Sequence, residues 1–287
     1  MDAFSLRVLE KEFPSQYLNV GVSEQNMINV AAGLALSGKI VFCYSIAAFA
    51  TMRCLEQIKV NICSMNLPVT IVGAGAGFSF GYDGPTHHGH QDLSSMRLLP
   101  EMRIIELSSN DLAVKAVEYS LGEKGPCYVR LDKGRFPNWS SKKVDFNKGY
   151  RILRPLQKNN IITNGFMSER VCCVADRLER IGQKYGVIDL FLVKPVTDAF
   201  INDVLIGSDV VISVEESCVI GGLGSLLADL ICAEKIPCNL HKIGAPDRQF
   251  IEYGTREWFH EKYKIDEIGI YNYLESIPEE LGKNSLT

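Results

Sequence analysis

"YLNVGVSEQNMINVAAGLALSGKIVFCYS", Tyr17 to Ser45, holds three pieces of different character. "YLNVGV" predicts a strand. "SEQNMINVAAGLALSG" predicts a helix, rich in Ala and Leu and closed by Gly38 just past its end. "KIVFCYS" predicts a buried strand. A helix between two apolar strands is the unit of a parallel sheet covered on both faces.

The same alternation continues downstream. Ala47 to about Asn66 predicts a helix, "PVTIVGAG" a strand, "SSMRLL" a short helix and "RIIEL" a strand. "SNDLAVKAVEYSL" opens on a Ser/Asn/Asp cap and predicts a helix, followed by the strand "CYVRL". From Lys133 to Gln157 the pattern lapses into polar sequence without a period. It resumes with "NIITNGF", the helix "ERVCCVADRLERIGQ", "GVIDLFL", "DVVISVEE", a helix after "GGLGS", and "CNLHKIG". The expected fold is therefore α/β with two domains, each a mostly parallel sheet flanked by helices. Residues 1–136 form the first domain, 137–155 a linker and 156–287 the second.

Bulk properties exclude several classes. The chain has 287 residues, 46% hydrophobic and 22% charged, with a net charge of −4 and no basic stripe to suggest nucleic acid. Its apolar runs stop well short of the roughly 18 residues that span a bilayer. "MDAFSLRVLEKEF" lacks the apolar core of a secretory signal. Nine cysteines, an odd number at irregular spacings and without C-x-x-C, suit reduced thiols in a cytoplasmic protein better than disulfides or zinc.

Two glycine motifs mislead. "GLALSGK" has P-loop spacing, but a helix precedes it, a strand follows, and Ile40 stands where Ser or Thr would hold Mg²⁺. It predicts a helix end. "GAGAGF" lacks the third glycine of a dinucleotide fingerprint and predicts a flexible loop after a strand, where open sheets place ligands. "GYDGPTHHGHQDL", Gly81 to Leu93, is denser in chemistry, with three histidines and two aspartates. Adjacent His87 and His88 do not easily share one tetrahedral zinc, so a polar pocket rim is the better reading. Glu24 is open to two readings: a first-turn acid facing the helix dipole with Ser23 as cap, or a functional carboxyl.

Taken together and in order, "NVGVSEQNMINVAAGLALSGK", "YSIAAFATMRCLEQIKVNIC" and "GYDGPTHHGHQDLSSMRLLPEM" resemble the pyrimidine-binding domain of transketolases. "VISVEES…GGLGS" and "KIGAPDR" resemble the C-terminal domain of the same family. The resemblance implies thiamine diphosphate as cofactor, bound between subunits. Glu24 would hydrogen-bond N1′ of its aminopyrimidine, from a dry pocket that favours a shared proton. The cofactor would carry the carbanion chemistry and the protein would tune it. Phe49 would stack on the pyrimidine, with Met52 beside it. Asp83 and His87 match substrate-channel residues, with His88 and His90 as further partners and His87 also catalytic. Lys133 falls where many relatives carry a phosphate-gripping arginine, and a lysine cannot form the bidentate fork.

No G-D-G motif of the diphosphate site occurs, and a strand–helix unit expected ahead of "NVGVSEQ" is missing. The resemblance thus points to the C-terminal subunit of a split transketolase, transferring a two-carbon ketol unit between sugars or sugar phosphates. Its partner would be an N-terminal subunit holding Mg²⁺ or Ca²⁺, with no metal site in this chain. Self-association to a dimer within an α₂β₂ assembly follows. The alternatives are a 2-oxo acid dehydrogenase β subunit, a deoxyxylulose-phosphate-synthase-like enzyme, and a non-catalytic assembly subunit.

Overall fold

A computed structural model describes residues 6–284, except 134, 135, 138 and 140–142, with the backbone alone for 278–284. The start of the stretch tested for a secretory signal and part of the expected linker lie outside the described residues.

Two five-stranded sheets carry the chain. The first runs in the order β1 (Val41–Ile46), β2 (Val69–Ala74), β4 (Cys127–Leu131), β3 (Arg103–Glu106), β8 (Leu192–Lys194). The second runs β10 (Asn239–Ala245), β9 (Val210–Cys218), β6 (Asn159–Thr163), β7 (Gly186–Asp189), β5 (Arg151–Arg154). All pairings are parallel except the two outer ones, β3 with β8 and β5 with β7. Strands of the sheet centres are buried on both faces, β9 along all nine residues, although its second half carries Glu215, Glu216 and Ser217.

Helices cover both sheets. Glu24–Leu36 buries Ile28, Ala31, Ala32 and Ala35 against the first sheet and stops at Gly38, whose φ is +86°. That is a helix end, as the P-loop look-alike predicted. Ser109 caps Asn110–Gly122 by accepting from the Leu112 amide. Cys43, Cys54, Cys63, Cys127 and Cys218 are buried as core residues. No described helix is long and apolar enough to cross a membrane.

Three expectations are corrected. "YLNVGV" joins no strand ladder: Gly21 has φ +79°, its amide bonds the Asn19 side chain, and Leu18 and Val22 are exposed. The stretch from Ala47 is helical as expected, as far as Cys63, in an α, 3₁₀, α, π succession. Thr51 contributes to the break, donating its hydroxyl to the Ala47 carbonyl, a bond that loosens a helix. β5 lies inside the stretch read as linker, and β8 crosses from the second half to the first sheet. "GAGAGF" is not a flexible loop. Phe78 is buried, and a Cβ on Gly77 (φ +55°) would fall 2.3 Å from the Glu216 carboxyl.

Glu215 on β9 explains the "GGLGS" turn. Its carboxylate accepts from the amides of Leu223 and Gly224, at 2.7 and 2.8 Å, and so fills the N-terminus of helix Leu223–Ala233 from below. Burial pushes this acid up to about 7, against the lowering effect of those amides. Burial likewise pushes Glu106 up to about 7, although Arg130 opposes it. Both groups hold their protons in the folded chain at pH values where the unfolded chain, at the ordinary 4.5, has lost them. Stability contributed by them is full below 4.5 and is lost as pH rises towards 7. Urea midpoints should therefore fall across that window, and Glu215→Gln should flatten the fall. An unchanged slope in the variant would take Glu215 out of the titration.

Candidate active site

The carboxyl ends of β1 and β2 converge on one side of the first sheet, where ligands bind in open α/β sheets. Glu24 opens the helix Glu24–Leu36 there. Ser23 occupies the cap position, but its hydroxyl donates to the Val20 carbonyl and caps nothing. Nor does the Glu24 carboxylate simply face solvent at the helix end. It is buried, accepting from Ser45 Oγ at 3.3 Å and pairing with Arg53 at 3.1 Å. Ser45 stands at the end of β1, so the turn out of that strand fixes one carboxylate oxygen. Glu24 is thus buried, as a dry pocket would require, but a guanidinium forms one wall of its surroundings.

The irregular helical run after β1 supplies the other groups. Phe49 lies on Ala47–Thr51, and Met52 and Arg53 on the 3₁₀ turn that follows. The break at Thr51 turns Arg53 and the Phe49 ring to a common space. This cavity, of about 300 Å³, is lined by Phe49, Met52, Arg53, Thr86, His88 and Asp92, with Ala48, Pro85 and Gln91. The Arg53 guanidinium lies 4.3 Å from the centre of the Phe49 ring. Ser95 Oγ contacts Met52 Sδ at 2.9 Å.

The histidine-rich loop does two jobs, not one. His87 is half-buried at the rim, its ring 4.9 Å from Phe49 and edge-on to it, with Thr86 Oγ1 2.9 Å from Nδ1. His88 lines the cavity from beneath and is buried, with Nε2 3.4 Å from the Gly81 carbonyl. Burial lowers its pKa, so it is a neutral ring at pH 7. His90 is core: Nδ1 donates to the Glu216 carbonyl at 3.0 Å, the ring packs on Phe78 and Phe250, and burial pushes it down to about 3. As a further partner in the substrate channel His90 is corrected. Asp83 sits exposed on the turn Gly81–Asp83, outside the cavity wall. Lys133 is also exposed and outside it, with Nζ 4.9 Å from the Phe80 ring.

The structure thus brings Glu24, Phe49, Met52, His87 and His88 together and leaves Asp83 and Lys133 at the margin. Sequence reading missed Arg53, Ser45 and Asp92. Arg53 carried a signal, being four residues beyond Phe49 in the same segment. Asp92 carried one too, as an acid ending the histidine loop and opening the helix Asp92–Arg97. Among the described residues no group of three His, Cys, Asp or Glu side chains is placed to hold a metal ion. The present residues do fit an aminopyrimidine. A flat aromatic face and a thioether border one cavity, and the buried Glu24 carboxylate stands behind Arg53 in its wall.

Comparison with known proteins identifies the family of both domains. The family model for the transketolase pyrimidine binding domain matches residues 4–138, and that for the transketolase C-terminal domain matches 149–270. An apulose-4-phosphate transketolase subunit of Actinobacillus succinogenes is 31% identical over 257 residues, spanning 89% of this chain and 83% of the relative. The 6-deoxy-6-sulfo-D-fructose transketolase subunit SqwH of a Clostridium species is 32% identical over 266 residues, 92% of this chain and 82% of its own. A solved structure described as a split gene transketolase, inactive beta4 tetramer, superposes with a TM-score of 0.84 at 29% identity, over 93% of this chain and 86% of that one. With its buried Glu24 set beside an aromatic-walled cavity on the first of two matching domains, this chain belongs to the transketolase family.

Proposed function

We propose that the chain works as one subunit of a thiamine-diphosphate-dependent transketolase, moving a two-carbon ketol unit between sugars or sugar phosphates. The observation that carries this is the buried Glu24 carboxylate, paired with Arg53, which lines one cavity together with Phe49 and Met52. Bound thiamine diphosphate supplies the electron sink that makes cleavage next to a ketone possible. Glu24 is assigned the proton at N1′, with Ser45 holding the other carboxylate oxygen in place. Phe49 and Met52 are assigned the two flanks of the pyrimidine.

His87, at the rim and beside Phe49, is assigned to meet a substrate hydroxyl and to act as the catalytic acid or base. His88, kept neutral by burial, serves as a fixed dipole in the cavity floor. Asp83 and Lys133 lie further out, where the far end of a sugar would emerge. Lys133 offers a point charge to an anionic terminus. Two relatives named as transketolase subunits support a partner chain, proposed here to carry the diphosphate and its Mg²⁺ or Ca²⁺. Burying a diphosphate requires a cation or several directed donors. The assembly proposed is α₂β₂, with self-association through this chain, in the cytoplasm.

Two measurements test the reading. Glu24→Gln should preserve the fold and slow deuterium exchange at C2 of the bound cofactor by orders of magnitude. Exchange at the wild-type rate would remove Glu24 from the mechanism. Titration calorimetry on this chain alone should find weak thiamine diphosphate binding and no ketol transfer, with both restored by the N-terminal subunit and Mg²⁺. Tight binding with turnover and no partner present would defeat the split assignment.

A further inference from the structure

Arg53 touches both groups that the cofactor's aminopyrimidine is proposed to use. Its Nη1 donates to Glu24 Oε2 at 3.1 Å, and its guanidinium carbon lies 4.3 Å from the centroid of Phe49. It also lines the cavity beside Phe49, and so links the buried Glu24 to that space. A guanidinium is flat, delocalised and positively charged, with N–H donors in its plane. A protonated N1′ beside an exocyclic amino group presents the same features: a flat ring, a positive charge and in-plane donors. The two are chemical equivalents for one seat made of a carboxylate edge and an aromatic face.

They cannot share it. Glu24 Oε1 is already within reach of Ser45 Oγ, and Oε2 is the oxygen that Arg53 takes. His87 packs edge-on against the same Phe49 ring, which narrows the ways a second planar group could approach. We propose that Arg53 is a displaceable latch on the cofactor site. It is a positioning residue that keeps Glu24 and Phe49 in register, and it has to swing out before an aminopyrimidine can seat. This rests on the cofactor reading given above.

The geometry also sets the strength of the latch. The Arg53 side chain is 49% exposed, against 9% for that of Glu24, so solvent screens the pair and leaves the guanidinium an open route outwards. An exposed ion pair and an exposed cation–π contact are each weak, so the competition should reduce cofactor affinity by only about three- to tenfold. A site whose competent form is partly closed binds with its affinity lowered by the closed share.

The test compares wild type with Arg53→Met, Arg53→Lys and Glu24→Gln, using thiamine diphosphate at up to millimolar concentration. Binding is followed by calorimetry with Mg²⁺ and the N-terminal subunit present, and thermal unfolding of this chain is followed without cofactor. Arg53→Met should bind about three- to tenfold tighter while unfolding at a lower temperature, because it loses the latch contacts. Arg53→Lys should fall between, since lysine can pair with Glu24 but lacks the planar stack. The gain from Arg53→Met should vanish when Glu24→Gln is added. A merely structural arginine would lower affinity and stability together. Equal or weaker binding by Arg53→Met, with Glu24→Gln still impairing binding, overturns the latch alone. Wild-type affinity in Glu24→Gln, or no saturable binding in any variant, overturns the cofactor reading and the latch with it.

Discussion

Arg130 is almost fully buried at the end of β4 and meets two acids at once. Its Nε and Nη2 grip the two oxygens of Asp92 at 2.7 and 3.0 Å, Nη1 reaches Glu106 at 2.6 Å, and Nη2 also donates to the Gly89 carbonyl at 2.6 Å. Tyr128 adds a bond to Asp92 at 2.6 Å. A buried charge is tolerable only when paired and hydrogen-bonded, and removing one partner from such a group typically costs about 3–5 kcal/mol. The arginine therefore dictates where its partners stand. Asp92 and Gly89 both belong to the histidine loop, so the loop is pulled down onto the sheet by its C-terminal end. His88 is then set into the cavity floor and His87 left at the rim.

The second half of the chain holds the other end of that loop. Glu216, on β9, accepts from the Phe78 amide at 3.1 Å and pairs with Arg256 and with His260. Arg256 goes on to Asp132, at 2.5 Å, just past β4. Burial alone would raise a carboxyl, yet Arg256 and His260 hold Glu216 well below the usual range. Gly84, at φ +76°, leaves room for the Tyr253 ring, where a Cβ would fall within 2.7 Å. Both domains thus press on one loop, and the cavity's shape is a property of their contact.

The α/β class and the alternation of its strands and helices were legible in the sequence, which also singled out Glu24, Phe49 and Met52, residues that the fold connects through Arg53 and one cavity. Buried parallel strands and amphipathic helices write their periods locally. What was not legible depends on partners distant in the chain. "YLNVGV" has strand composition but no neighbour to pair with. The glycines of "GAGAGF" look permissive in sequence, while in space they make room for Phe80 and Glu216. His87, His88 and His90 are alike on paper, and only the packing of Phe78, Phe250 and Phe259 separates rim from floor from core. Arg53 escaped notice because an arginine on a helical segment ordinarily means a solvated face.

β8 bears on how the polypeptide is made. Leu192–Lys194 closes the first sheet by pairing with β3, although some sixty residues of chain and three strands of the other sheet separate β8 from β4. A nascent chain leaving the ribosome cannot finish its first domain when that domain's own sequence has emerged. β3 stays an open edge, with unpaired amides and carbonyls able to template foreign strands, until Lys194 arrives. The two halves consequently mature as one unit. A gene fragment cut between them would yield a first half with a raw sheet edge, not a portable module.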